Sequence, residues 1–212
     1  MADLYTLIRG VMVQVPSAPE PLVVQNYVDA AREFFETTRI WRSDDVVLFR
    51  DTFASTDDTA AFELDAGAEA EAIDAIYVEH GGDRLEKQTA KQMRRQSGRS
   101  GKPKTFRIAR GAGRMYVAPG EKADADALMG EFVLVPARGA QNLDDEVADA
   151  YGEVIELGTL YRLLRQPHQQ WSDSGAAEFY MAEWHNKLIQ WRQRAEDEGM
   201  RGVVRKVRYG GY

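Results

Sequence analysis

Apolar side chains recur at helical spacing near the start of the chain. A short stripe predicts an amphipathic helix over residues 3–14, interrupted at Gly10, and the proline-rich segment 16–21 ends it. A longer apolar face, opposed by charged residues, predicts a second helix over residues 21–42. The members of that face are Val24, Tyr27, Val28, Ala31, Phe34, Phe35, Thr38 and Trp41.

Helical spacing returns in the last third of the chain. One stripe begins at Asp144 and continues to Leu164, and two glycines within it, Gly152 and Gly158, indicate that another backbone packs closely there. A second stripe, of coiled-coil type, predicts a helix over residues 173–198 that Gly199 ends. Aromatic residues expected in the core of a bundle of these helices are Tyr27, Phe34, Trp41, Tyr151, Tyr161, Trp171, Trp184 and Trp191.

Between the two helical regions the apolar residues alternate with polar ones, as in half-buried strands. The pattern predicts a small antiparallel sheet or sandwich. Residues 83–103, which are basic and contain glycines, are expected to form either a long hairpin loop or a short polar helix followed by a flexible linker. The β-rich runs are 46–50, 60–64, 72–80, 104–109, 114–118 and 131–137.

The order of elements predicts an α+β fold. Helices from both chain ends form one bundle, and an antiparallel β-region inserted between them projects from it. The expected regions are 1–42 and 141–199 for the bundle, 43–140 for the β-region with a basic loop at 84–103, and 200–212 for an extended C-terminal arm.

Composition narrows the range of functions. The absence of cysteine excludes disulfides, thiolate metal sites and cysteine nucleophiles. No run of about 18 apolar residues occurs and the N-terminus lacks a signal-peptide pattern, so we expect assembly in a cytoplasm and no membrane partner.

Charge is distributed unevenly along the chain, whose formal net charge is −7. Residues 84–114 contain eleven basic side chains and one acidic side chain, Glu86. Such asymmetry indicates a polyanion or an acidic protein surface as partner, although a solvated loop explains residues 91–102 equally well. The basic-loop residues of interest are Arg94, Arg95, Arg99 and Lys102, and a second group, Arg201, Arg205, Lys206 and Arg208, precedes Tyr209 and Tyr212.

Candidate chemistry is sparse. His168, Ser172 and Asp173 lie within six positions, but a catalytic triad normally draws its members from separate elements, so a helix end followed by an N-cap is the better interpretation. The three histidines are scattered, and the acids that begin at Asp144 suit the first turn of a helix. Glycine pairs at 81–82 and 111–113 match no phosphate-binding loop. We therefore expect neither an enzyme nor a cofactor or metal site.

Three segments resemble the head-to-tail adaptor (head-tail connector, tail tubular A-like) proteins of tailed bacteriophages. They are PLVVQNYVDAAREFFETTRIWR, VADAYGEVIELGTLYRLLRQP, and the turn Trp171-Ser172-Asp173 with the following AAEFYMAEWHNKLIQWRQRA. The resemblance implies a virion protein at the head-tail junction that forms a ring, commonly of twelve subunits, beneath the portal. Its partners would be its own copies, the portal protein, tail nozzle or tail tube proteins, and DNA that passes through the channel without sequence-specific binding.

Within this hypothesis residues 201–212 are the arm that contacts the portal or a neighbouring subunit, with Tyr209 and Tyr212 as aromatic anchors. The basic loop would contact a neighbouring subunit or the passing DNA, and we favour the neighbour because tight phosphate contacts would retard DNA. The alternative hypothesis is a nucleic-acid-binding protein without sequence specificity that uses residues 84–114.

Overall fold

A computed structural model describes residues 1–50, 59–94, 100–109 and 112–201. Helices from both ends of the chain pack together and strands lie in the middle of the sequence, which confirms the α+β class. The helices are α1 (Leu4–Leu7), α2 (Arg9–Gln14), α3 (Glu20–Thr38), α4 (Ala90–Arg94), α5 (Asp145–Leu164) and α6 (Ser174–Arg201). The strands are β1 (Ala2–Asp3), β2 (Arg42–Ser43), β3 (Val47–Arg50), β4 (Ala60–Asp65), β5 (Ala70–His80), β6 (Asp83–Arg84), β7 (Glu86–Lys87), β8 (Thr105–Ala109), β9 (Arg114–Ala118), β10 (Leu128–Pro136) and β11 (Asn142–Leu143).

The sequence predicted that the N-terminal helical segment is interrupted at Gly10. The structure places the interruption at Ile8, between α1 and α2. Gly10 lies inside α2, and a Cβ at this position would come within 3.0 Å of the Glu156 carboxylate on α5. The glycine therefore permits the close packing of α2 on α5. Strand β1 pairs with β11, which holds the N-terminus beside the start of α5.

Helix α3 ends at Thr38, and the C-cap Arg39 adopts the left-handed conformation with φ 57° and donates its N–H to the Phe35 carbonyl at 2.8 Å. The helix is therefore shorter than the predicted 21–42. Trp41 lies in the connection that follows and not on the helix face. Pro21 lies in the first turn of α3, where a missing N–H costs no intrahelical hydrogen bond.

Capping carboxylates begin both long C-terminal helices. Asp144 accepts hydrogen bonds from the N–H groups of Glu146 and Val147 at 2.9 and 3.3 Å, and Asp173 accepts one from Ala176 at 3.0 Å. The prediction that Gly199 ends the last helix is wrong, because α6 continues to Arg201. Glycine lowers helix propensity by about 1 kcal/mol, but it ends a helix only where the backbone also leaves the helical conformation.

The strands form a four-stranded sheet, in the order β2-β10-β5-β6, and a five-stranded sheet, in the order β3-β4-β9-β8-β7. Every pair in the four-stranded sheet is antiparallel. In the five-stranded sheet β7 runs parallel to β8, which departs from the predicted antiparallel arrangement. The short polar helix expected after residue 83 is present as α4.

The four-stranded sheet lies between two apolar cores, because successive side chains on its strands point to opposite faces. Val133 and Val135 of β10 pack against the helices, whereas Phe132 and Leu134 pack against the five-stranded sheet. The strand region therefore shares one core with the bundle and has a second core of its own. Members of the second core include Phe62, Val78, Leu85, Phe106, Met115 and Val117.

Candidate interaction surfaces

Aromatic side chains from α3, α5 and α6 meet at the centre of the bundle. The ring centroid of Phe34 lies 5.5 Å from that of Tyr151 and 5.9 Å from that of Trp184, and Tyr151 and Trp191 are 5.2 Å apart. Tyr27, Phe34 and Trp184 are fully buried. The other aromatic residues expected in the core lie partly buried at its margin, namely Trp41, Tyr151, Tyr161, Trp171 and Trp191.

The prediction that a backbone packs against the α5 glycines is wrong, since aromatic side chains occupy that space. A Cβ at Gly158 would lie 3.0 Å from three ring atoms of Trp184. At Gly152 the nearest atom is the Tyr27 hydroxyl, at 3.7 Å. The absence of a side chain at Gly158 is therefore needed for the packing of the indole, whereas a methyl group at Gly152 would make only an ordinary van der Waals contact.

Two polar side chains border this core, the buried Tyr27 and the partly buried Glu156. The Tyr27 hydroxyl has no hydrogen-bond partner among the described residues. Burial raises the pKa of Tyr27, and the charge of Glu156 raises it further. Burial likewise raises the pKa of Glu156, with a smaller effect from Glu153. Glu156 was missed from the sequence because a glutamate beside an apolar helical stripe ordinarily faces solvent.

The described part of the basic segment 84–114 extends over β6, β7, α4, β8 and the start of β9. Arg107 stacks on Tyr116 with its guanidinium carbon 4.0 Å from the ring centroid, and Arg84 lies 5.8 Å from that of Tyr77. Of the four basic-loop residues, Arg94 and Lys102 are exposed, whereas Arg95 and Arg99 lie outside the described residues. The described basic side chains of the segment are Arg84, Lys87, Lys91, Arg94, Lys102, Lys104, Arg107 and Arg114.

One lysine of this segment pairs with a buried carboxylate. Asp74 on β5 accepts a hydrogen bond from Lys87 and another from Arg39 at 2.8 Å, while the backbone N–H of Ala75 donates to it at 2.9 Å. The Asp74 side chain is 7% exposed, and its two cationic partners are nearly half exposed. Lys87 therefore joins β7 to β5 and pairs with a carboxylate of its own chain.

The C-terminal arm lies almost wholly outside the described residues. The backbone of Arg201 forms the last residue of α6. Arg205, Lys206, Arg208, Tyr209 and Tyr212 are not described, so their assignment stays a prediction.

The turn between α5 and α6 uses its polar groups in local hydrogen bonds. The Ser172 hydroxyl accepts from the Gln169 N–H at 2.9 Å and donates to the Gln166 carbonyl, while Asp173 caps α6. His168 has a positive φ of 61°, as a tight turn requires. A cavity of about 600 Å³ lies beside the turn, with Leu164, Pro167, Ala177 and Met181 among its apolar lining residues.

Comparison with protein-family models gives no match, and comparison with curated proteins gives none either. In the part of the chain that the structure describes, no helix has the length and apolar character needed to cross a membrane. Within the same residues no three potential ligand side chains converge as at a metal centre. The candidate surfaces therefore depend on geometry and on the sequence resemblance.

One exposed surface was not recognised from the sequence. The core-facing stripe of α6 was predicted correctly through Trp184 and Leu188, but Phe179 and Ile189 on the outer face were not considered. They are 61% and 57% exposed. A signal was available, because Phe179, Ala182 and Ile189 fall on a second stripe of the same helix at steps of three and seven.

Proposed function

We propose that this chain is a structural subunit of a bacteriophage virion, a head-tail adaptor that forms a ring between the portal and the tail and lets DNA pass. It acts without catalysis and without a cofactor. Twelve copies is the number that the family resemblance implies. Its partners are its own copies, the portal protein and the tail nozzle or tail tube proteins.

The observation that carries the proposal is the packing of the three segments that resemble the adaptor family. They are distant in sequence, yet they correspond to α3, α5 and α6, which contact one another. Their aromatic residues meet directly, with Phe34 of α3 packed on Tyr151 of α5 and Trp184 of α6. The resemblance therefore involves residues that determine how the bundle packs and not surface residues that happen to agree.

A ring subunit must present two different surfaces, because each copy binds one neighbour with one face and the next neighbour with another. Exposed basic residues such as Lys91 and Lys104 lie on the strand region, and exposed acids such as Asp145 and Asp149 lie in the first turns of α5. Contacts between opposite charges on neighbouring copies would favour specific association.

Electron microscopy of the purified chain mixed with its portal protein tests this function. We expect rings attached to one face of the portal, and antibody labelling of virions at the head-tail junction. A chain that neither binds the portal nor occurs in virions would contradict the proposal.

Deletion of residues 201–212 tests the arm within the same system. We expect heads that package DNA but carry no tails, while a Lys122→Glu variant, altered at an exposed position of the strand region, serves as the control. Normal tail attachment by the deletion variant would remove the arm assignment and leave the adaptor function itself untouched.

A second candidate is a nucleic-acid-binding protein without sequence specificity. The observation in its favour is the stacking of Arg107 on Tyr116, with both side chains partly exposed, because arginine and aromatic planes are the groups on which bases stack. The pairing of Lys87 with Asp74 of its own chain favours the adaptor.

A further inference from the structure

The outer face of α6 is an uncharged seam open to solvent. Phe179, Ala182, Asn186, Ile189 and Gln193 are all exposed and follow one another at steps of three and four. This spacing is the a and d pattern of a coiled coil. The opposite face of α6 is already committed to the bundle core, so the seam is free to receive a second helix.

Two copies of this seam fit each other in one antiparallel register. Antiparallel helices place each a position beside a d position of the partner helix. A two-fold axis that crosses the seam at the level of residue 184 sets Phe179 against Ile189 of a second copy, and the same axis sets Ala182 against Asn186. Phe179 of each copy therefore packs on Ile189 of the other copy, so this apolar contact occurs twice in the dimer.

Charges at the flank of the seam select the same register. Glu178 and Arg192, both exposed, precede Phe179 and Gln193, so they lie on one side of the seam. In the antiparallel register Glu178 meets Arg192 of the second copy, and symmetry repeats the contact. Within one copy, Arg192 donates a hydrogen bond to Glu196 at 3.0 Å, and both side chains are more than half exposed. Because an exposed ion pair contributes little to stability, Arg192 can leave Glu196 and pair with Glu178 of the second copy at little cost.

The parallel arrangement is less favourable. It would bring Glu178 beside Glu183 of the second copy on both flanks, and like charges repel. In the antiparallel arrangement Glu183 meets only its own symmetry mate, and Lys187 follows it at the i+4 position, where a lysine offsets the charge.

We propose that the free protein forms a two-fold dimer in which α6 pairs antiparallel with α6 of a second copy. A single closed ring contains no two-fold axis of this kind, so the dimer is a form of the free chain. The proposal does not rest on the adaptor function.

Sedimentation equilibrium over a concentration series tests the dimer. Arg192→Glu and Glu178→Arg each turn two attractive contacts into repulsive ones. Since one exposed ion pair changes an equilibrium constant about two- to five-fold, we expect each variant to weaken dimerisation about ten-fold or more. The double variant Glu178→Arg with Arg192→Glu exchanges the charges and should recover the wild-type dissociation constant.

The matched control is Lys122→Glu, which makes the same charge change at an exposed position of the strand region and should leave the dimer unaffected. Circular dichroism establishes that each variant is folded. A wild-type chain that stays monomeric at about 100 μM, a concentration that reveals even weak dimers, would overturn the proposal. A dimer that the single variants leave unchanged, or that the double variant does not restore, would overturn it as well. Loss of portal binding with an intact dimer would count against the adaptor function alone.

Discussion

Replacement of Gly158 by alanine is the sharpest test of how the bundle core is packed. The added Cβ would come within 3.0 Å of three atoms of the Trp184 ring, which is rigid and fully buried. Phe34, whose ring centroid is 5.9 Å from that of Trp184, restricts the space into which the indole can move. We therefore expect the substitution to overpack the core.

Gly152→Ala provides a matched control in the same helix. There the nearest atom, the Tyr27 hydroxyl, would lie at 3.7 Å, an ordinary contact distance. Both substitutions gain the helix propensity of alanine over glycine, about 1 kcal/mol. This gain cancels when the two variants are compared, and the remaining difference is the overpacking cost at Gly158, about 1–3 kcal/mol.

Urea unfolding monitored by circular dichroism measures both free energies of unfolding. We expect Gly152→Ala to stabilise the protein by up to about 1 kcal/mol, and Gly158→Ala to be less stable than Gly152→Ala by about 1–3 kcal/mol. Adding Trp184→Phe to Gly158→Ala should remove the clash, so that Gly158→Ala costs less in this background than in the wild type. Equal stabilisation by the two alanine variants would refute the packing argument.

Three further predictions concern pH, capping and DNA. Burial raises the folded-state pKa of Glu156 above its ordinary value of 4.5, so the free energy of unfolding falls as the pH rises above 4.5 and the carboxyl ionises more readily in the unfolded chain. Glu156→Gln should therefore stabilise the protein at pH 7 and lose this advantage towards pH 4. Urea unfolding at the two pH values measures the difference. Asp173→Ala should lower the free energy of unfolding by about 1 kcal/mol through loss of the α6 cap, and Asp173→Asn should restore most of it. For the adaptor we expect no binding of duplex DNA by the purified chain near 0.15 M salt; binding at lower salt that weakens steeply as salt is added would favour the nucleic-acid-binding alternative.

The helices of the bundle could be predicted from the sequence because their apolar residues repeat with the period of the helix. The stripe through Trp184 and the caps at Asp144 and Asp173 depend on residues close together in the chain. The same holds for the turn at Ser172, where a hydroxyl bonds to backbone groups within six positions. Local physical chemistry was sufficient for these features.

The residues at which helices end and the pairing of strands were less predictable from the sequence. Helix α3 ends at Thr38 although the apolar pattern continues to Trp41, because Trp41 packs between the bundle and the strand region from a connecting segment. The parallel pairing of β7 with β8 likewise joins residues that the intervening chain separates. The spacing of apolar residues predicts that a side chain is buried, but it does not predict against which helix or strand the side chain packs.

The α+β class, the apolar face of each long helix and the turn that joins the last two helices follow from the amino-acid sequence alone. The folded chain was needed to show that Gly158 accommodates an indole, that Glu156 lies against α2, and that Asp74 pairs with both Lys87 and Arg39. Distance along the chain explains this difference. Helix propensity and capping act over a few residues, whereas close packing and ion pairing depend on atoms that come together only when distant segments fold onto each other.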